Sequence, residues 1–399
     1  MLAQEPEQIS EEEMKLEQEA SDSQHVIDSL LAEWYKKRPM PIDHYIEFPN
    51  IDDERFTTDV PDSVLIKRLE KMNSFISLPF NQTVKNYMIT YAEKNPERLA
   101  GLLAKSSYYF PIFEEILDKY DMPLELKYMS IIESALNPIA RSRVGARGIW
   151  QFMYPTAKRY GLQINSFVDE RLDVIKAADA AAKFLKDAYN VFGDWSLAIS
   201  SYNCGAGNVN KAIKIAGSTD FWSIYPYLPR ETRGYVPAFV GAMYAMTYYN
   251  EYGVRPGVSP MPIQVDTFEI KRNLHFRQIS ELIGVPVDML KELNPQYTHD
   301  IVPGNEGTYI LKLPYNFTGA FLSVQDTVYK HKADSLISAK IIKGIKEGGN
   351  GEAVRYKVRN GDNLGAIARK YHCSVSQLKK WNHLRSDMIR VGQILYIYK

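Results

Sequence analysis

The sequence predicts a mainly α-helical domain followed by two small α+β modules, each built as strand, helix, helix and strand. Three observations carry that prediction. Apolar residues recur at helical spacing across residues 60–250, Gly and Pro punctuate those stretches, and the last third of the chain repeats itself. At 399 residues, more than one core is expected. Lys plus Arg and Asp plus Glu each number 48, so no global basic field argues for nucleic acid as a partner.

Residues 1–59 form the first segment. As far as Ser23 it is acidic, Gln-rich and poor in aromatics, a composition that buries too little apolar area to order itself. Residues 31–56 mix Pro39, Pro41 and Pro49 with Trp34, Tyr35, Tyr45 and Phe48, as expected of an extended segment lying against a folded body. Residues 60–257 are the helical domain, with helices expected over 63–75, 81–94, 97–118, 124–136, 174–192 and 195–202. Pro96 and Pro123 stand where helices begin, and Gly145, Gly148, Gly161, Gly193, Gly205 and Gly207 fall between periodic segments.

Sliding the chain against itself so that Phe268 meets Tyr356 superposes residues 268–304 on 356–392 without a gap. Identities then fall at Ile279 and Ile367, Leu290 and Leu378, Asn294 and Asn382, and Gly304 and Gly392. The repeat defines modules at 262–315 and 353–399, with 316–352 expected as a linker whose end is marked by Gly348, Gly349 and Gly351. Cys204 and Cys373 stand far apart and outside any ligand spacing, so neither a disulfide nor a metal is expected. No apolar run reaches the roughly 18 residues needed to span a bilayer, and the residues after Met1 are not of signal-peptide type.

The chemistry concentrates in residues 124–136, apolar around most of the helical circumference. Glu133 sits near the end of that stretch with Met129, Ser130, Leu136 and Asn137 as its helical neighbours, so desolvation is expected to keep its carboxyl protonated near neutrality. From periodicity alone, a surface glutamate at a helix end is an equal alternative. Loop clusters follow: Gly145 to Met153 with Gln151 beside Trp150, then Tyr202 and Asn203 ahead of Gly205 and Gly207, then Glu231 to Tyr235. Each alone reads as turn punctuation. Together, amide, hydroxyl and ring groups around one proton donor suit carbohydrate. Asp169, Glu170, Arg171 and Asp173 read as a charged loop and helix start, and Glu231 as an ion-pair partner of Arg230 or Arg233.

Residues 60–250 resemble the family 1 lytic transglycosylases of the goose-type-lysozyme-like superfamily. The likeness rests on Glu133 followed by Ser134, on Gly148 to Gln151, on Tyr202 with Asn203, and on Glu231 to Tyr235; Cys204 departs from the commoner Ser or Ala. The repeats resemble LysM domains, the second more fully, since Asn273 and Leu274 replace its Gly361 and Asp362. The resemblance implies a lysozyme-like (goose-type) helical fold and a peptidoglycan substrate. It implies Glu133 as the catalytic acid and base, with Ser134, Gln151, Tyr202, Asn203 and Tyr235 binding substrate, and no cofactor. Cleavage of the N-acetylmuramic acid to N-acetylglucosamine bond would leave 1,6-anhydromuramoyl ends. It further implies a periplasmic or cell-envelope location, with membrane association through a lipid anchor outside this sequence. The alternatives are a lysozyme-like muramidase and a non-catalytic wall-binding protein. Cys204 as a nucleophile lacks a histidine anywhere between His44 and His275.

Overall fold

The computed structural model describes residues 56–398 apart from 143, 260, 347–352, 360, 372, 383 and 385. The acidic tail and the extended segment expected before residue 56 lie outside the described residues. The helical domain runs through α1 (Asp62–Lys71), α2 (Gln82–Ala92), α3 (Pro96–Lys119), α4 (Met129–Ser134), α5 (Tyr154–Arg159), α6 (Val174–Phe192), α7 (Trp195–Cys204), α8 (Ala206–Ala216), α9 (Phe221–Ile224), α10 (Arg230–Arg233) and α11 (Tyr235–Tyr248). Short polar side chains start many of these helices by accepting otherwise unpaired backbone N–H groups. Asn81 accepts from Val84, Asn95 from Arg98, Asp173 from Ile175 and Lys176, and Asp194 from Leu197.

Helix α11 is the domain's axis. It is buried continuously from Tyr235 to Met246, which is why it carries apolar residues on every side. It packs along α2 through Gly241, where a Cβ would come within 2.8 Å of Tyr87. Residues 124–136, expected as one helix, divide into a 3-10 turn (Leu124–Tyr128) and α4. The helix stops because Ala135 and Leu136 turn left-handed, with φ of 53° and 58°. Their N–H groups bond back to Ile131 at 2.8 Å and Ser130 at 3.3 Å, closing the carbonyl end as glycine usually does. That turn places Glu133 at the helix terminus.

The first module holds β1 (Val265–Ile270), β2 (Asn273–His275), α12 (Phe276–Ile283), α13 (Val287–Leu293), β3 (Ile301–Pro303) and β4 (Tyr309–Pro314). Its strands form two antiparallel pairs, β1 with β4 and β2 with β3, rather than the single pair expected from the repeat. The segment expected as a linker is also corrected. It carries α14 (Thr318–Val324), α15 (Ala333–Leu336) and α16 (Ala339–Lys346), and Phe321, Val328 and Ile345 are buried in the same core as Ile270, Leu274, Phe276 and Leu311. Phe167 and Val168 from the helical domain complete that core. The second module is β5 (Ala353–Lys357), α17 (Leu364–Lys370), α18 (Val375–Trp381) and β6 (Ile394–Tyr398), with β5 antiparallel to β6. Its core is its own, built on Val358, Leu364, Ile367, Leu378, Trp381 and Leu395. The repeated asparagines do the same work in both copies: Asn294 and Asn382 each donate at 2.9 Å to the carbonyl one turn back, of Leu290 and Leu378.

Candidate active site

Glu133 is half-buried at the end of α4, open enough to meet a ligand yet enclosed enough that burial raises its pKa from 4.5 to about 7. The Tyr235 hydroxyl donates to Glu133 Oε1 and offsets part of that rise. Tyr235 is itself buried at the start of α11, so the domain's axis delivers the hydroxyl directly to the carboxyl. Burial, reinforced by the Glu133 charge, pushes the Tyr202 hydroxyl well above its ordinary pKa, which keeps Tyr202 a neutral donor. Its ring is held edge-on by Phe152 and Phe184.

The loop at 145–152 ties the remaining residues together through its carbonyls. Tyr202 donates to Trp150 O at 2.8 Å, Ser134 Oγ to Ile149 O at 2.8 Å, and Gln151 Nε2 to Gly148 O at 2.7 Å. Gly148 is required twice over. Its φ is +85°, and a Cβ would lie 1.7 Å from the carbonyl oxygen of Arg171. Gln151 also takes a left-handed backbone, φ 48°, which turns its amide inward onto the loop. Ser134, Gln151 and Tyr202 therefore bond main chain, while Tyr235 bonds Glu133 directly and the Glu133 charge acts on Tyr202. Asn203 is exposed, its Oδ1 accepting from Thr232 Oγ1 at 2.8 Å.

Arg233 donates to the carbonyls of Leu228 at 3.0 Å and Pro226 at 2.6 Å and so fastens main chain. The acids at 169–173 are engaged and largely buried. Asp169 pairs with Arg171 at 2.8 Å and Arg147 at 3.1 Å, Glu170 with Lys176 at 2.5 Å, and Asp173 caps α6. The sequence concealed this burial, because four charged residues within five positions resemble a solvated loop; the apolar Phe167 and Val168 just before them were the available signal. Burial raises the Cys204 thiol's pKa, which suits packing rather than nucleophilic attack. Among the described residues no group of His, Cys, Asp and Glu is arranged to hold a metal.

In the second module, a groove of about 700 Å³ is lined by Tyr356, Arg359, Lys370, Tyr371, Val391 and Gly392 among others. Asp362, which the first module replaces with Leu274, accepts from the Tyr356 hydroxyl at 2.8 Å and from Arg359 N–H at 2.7 Å, fixing the turn beside that groove. No helix among the described residues is long and apolar enough to cross a membrane.

Comparison with known proteins agrees with this layout. The transglycosylase SLT domain family matches residues 110–225, the LysM-like domain of lytic transglycosylase MltD matches 264–330, and the LysM domain family matches 356–397. Membrane-bound lytic murein transglycosylase D of Escherichia coli (strain K12) is 29% identical over 327 residues, covering 81% of this chain and 70% of its own length. Membrane-bound lytic murein transglycosylase F of Shewanella sediminis (strain HAW-EB3) is 39% identical over 94 residues, 22% of this chain and 18% of its own length. Among solved structures, the 70 kDa soluble lytic transglycosylase SLT70 of Escherichia coli aligns with 54% of this chain and 38% of its own, at 18% identity and a TM-score of 0.32. The chain carries a transglycosylase SLT domain, followed by the LysM-like domain of lytic transglycosylase MltD and by a LysM domain.

Proposed function

We propose that this chain is a lytic transglycosylase of peptidoglycan in the cell envelope, and that Glu133 is its single acid and base. The observation that carries this is a carboxyl whose pKa lies near 7 through burial, held by Tyr235, while the acids at 169, 170 and 173 are committed to arginine, lysine and a helix end. A hydrolase of the usual two-carboxylate design would need a second free acid for water. A group titrating near neutrality can instead serve in both protonation states within one turnover.

In the first step Glu133 gives its proton to the oxygen linking N-acetylmuramic acid to N-acetylglucosamine, and the C1–O bond breaks. The muramoyl 2-acetamido group stabilises the cation developing at C1. Glu133, now a carboxylate, takes the proton of the muramoyl C6 hydroxyl while O6 attacks C1. The 1,6-anhydro ring closes and the enzyme regains its starting state, with no water consumed. Tyr235 steadies the carboxylate between the two steps, and Tyr202 and Asn203 orient the sugar. Ser134 and Gln151 shape the site through the loop carbonyls they hold. The Tyr-lined groove of the second module supports a role in gripping glycan strands.

Mass analysis of murein fragments tests this reading. Wild-type digests are expected to end in anhydromuramic acid, and Glu133→Gln to yield almost none. Reducing muramic acid ends would mean hydrolysis, and an active Glu133→Gln enzyme would place the acid elsewhere.

A further inference from the structure

The catalytic loop is held from beneath by a buried ion pair, and that pair is bonded in turn to the first module. Arg171 donates through Nε to Asp169 Oδ1 at 2.9 Å and through Nη2 to Oδ2 at 2.8 Å, a bidentate clamp. Its third arm, Nη1, donates to Gly145 O at 3.1 Å and reaches Phe152 O at 3.5 Å, the two ends of the loop whose carbonyls hold Ser134, Tyr202 and Gln151. Arg147, also in that loop, adds a contact to Asp169 Oδ2 at 3.1 Å. Asp169 and Arg171 are 2% and 6% exposed, so these bonds act in a dry environment.

On the other side of the pair lies the first module. Asp169 N–H donates to Gln296 O at 2.9 Å, Val168 bridges Tyr297, and Thr298 donates through N to Phe167 O at 2.9 Å and through Oγ1 to Ser166 O at 2.6 Å. Phe167 and Val168 sit in the module's core.

We propose that Asp169 and Arg171 are positioning residues for the reaction at Glu133, and that the first module keeps them registered under the catalytic loop. The module thereby serves the chemistry as a buttress. The proposal rests on the assignment of Glu133 as acid and base, since neither Asp169 nor Arg171 touches the reacting atoms.

The test uses the full chain with soluble murein fragments, measuring kcat, KM and thermal midpoint for Asp169→Asn, Arg171→Lys and Thr298→Val. Lysine keeps the charge and loses the fork. Asp169→Asn and Arg171→Lys are expected to lower kcat about ten-fold or more in the folded enzyme, with KM changed less than about two-fold. Thr298→Val, a single lost hydrogen bond at the seam, should fold and lower kcat by a smaller factor. Combined with Arg171→Lys it should cost less than the product of the two separate effects, because both act through one loop. If the fall in turnover only tracks the unfolded fraction, or if Thr298→Val keeps wild-type kcat, the proposal is overturned. An active Glu133→Gln would instead refute the assignment of the acid, which separates the two failures.

Discussion

Replacing Glu133 with glutamine should stabilise the protein at alkaline pH and leave it unchanged at acid pH. The carboxyl's pKa rises from 4.5 in the open chain to about 7 in the fold, so the folded state binds this proton more tightly than the unfolded one. Stability from this group is therefore fully present below about pH 4.5 and is lost as pH climbs through 7. At about 1.4 kcal/mol per pH unit the full loss is about 3.5 kcal/mol, and solvent at the half-open carboxyl trims it to about 2 kcal/mol. Glutamine carries no charge to desolvate and can still accept from Tyr235. With roughly 2–4 °C per kcal/mol for a domain of this size, the helical domain's midpoint should rise by roughly 4–8 °C at pH 8 and by about nothing at pH 4.5. Calorimetry of both proteins at the two pH values checks this. An increment that is the same at both would refute the claim that Glu133 is held in a desolvating site.

Turnover should report the same group. kcat/KM is expected to fall as pH rises above about 7, where Glu133 has lost the proton it must donate; Tyr235→Phe removes a bond favouring the carboxylate, so its fall should move to higher pH. Gly148→Ala adds a strained φ worth about 1 kcal/mol and a methyl 1.7 Å from the Arg171 oxygen, so its denaturant midpoint should drop and its activity with it. Phe321→Ala, within the stretch expected as a linker, should destabilise the first module by about 3–5 kcal/mol in urea unfolding, whereas a tether residue would cost close to nothing.

Much of the site was legible because its chemistry is local. Periodicity left Glu133 equally readable as a desolvated acid or a surface residue, and the nearby clusters with Gln151, Tyr202 and Tyr235 favoured the acid; the structure finds Glu133 beside Tyr235 and influencing Tyr202. The repeat was equally readable, since Leu290 and Leu378 and their asparagines must keep both size and hydrogen bonding. Periodicity could not show that α4 ends one residue after Glu133, because the left-handed turn falls on Ala135 and Leu136, residues with no intrinsic preference for it. Nor could it show that α14 to α16 belong to a core, for helices of four to eight residues give little periodic signal even with Phe321 and Ile345 in them and Val328 between them. The buried Asp169–Arg171 pair was hidden because burial there depends on a partner about 130 residues later in the chain.

The shared core has a practical corollary for anyone dissecting this chain. Cutting after residue 257 would strip Phe167 and Val168 of their apolar surroundings and strand the carbonyls of Ser166 and Phe167 without their donor, Thr298. Such a fragment would present a sticky face beside its own reaction centre, and its solubility and its turnover would decline together. The cut that respects the molecule's joinery falls beyond residue 346, where the second module, with its self-contained interior, can be removed intact.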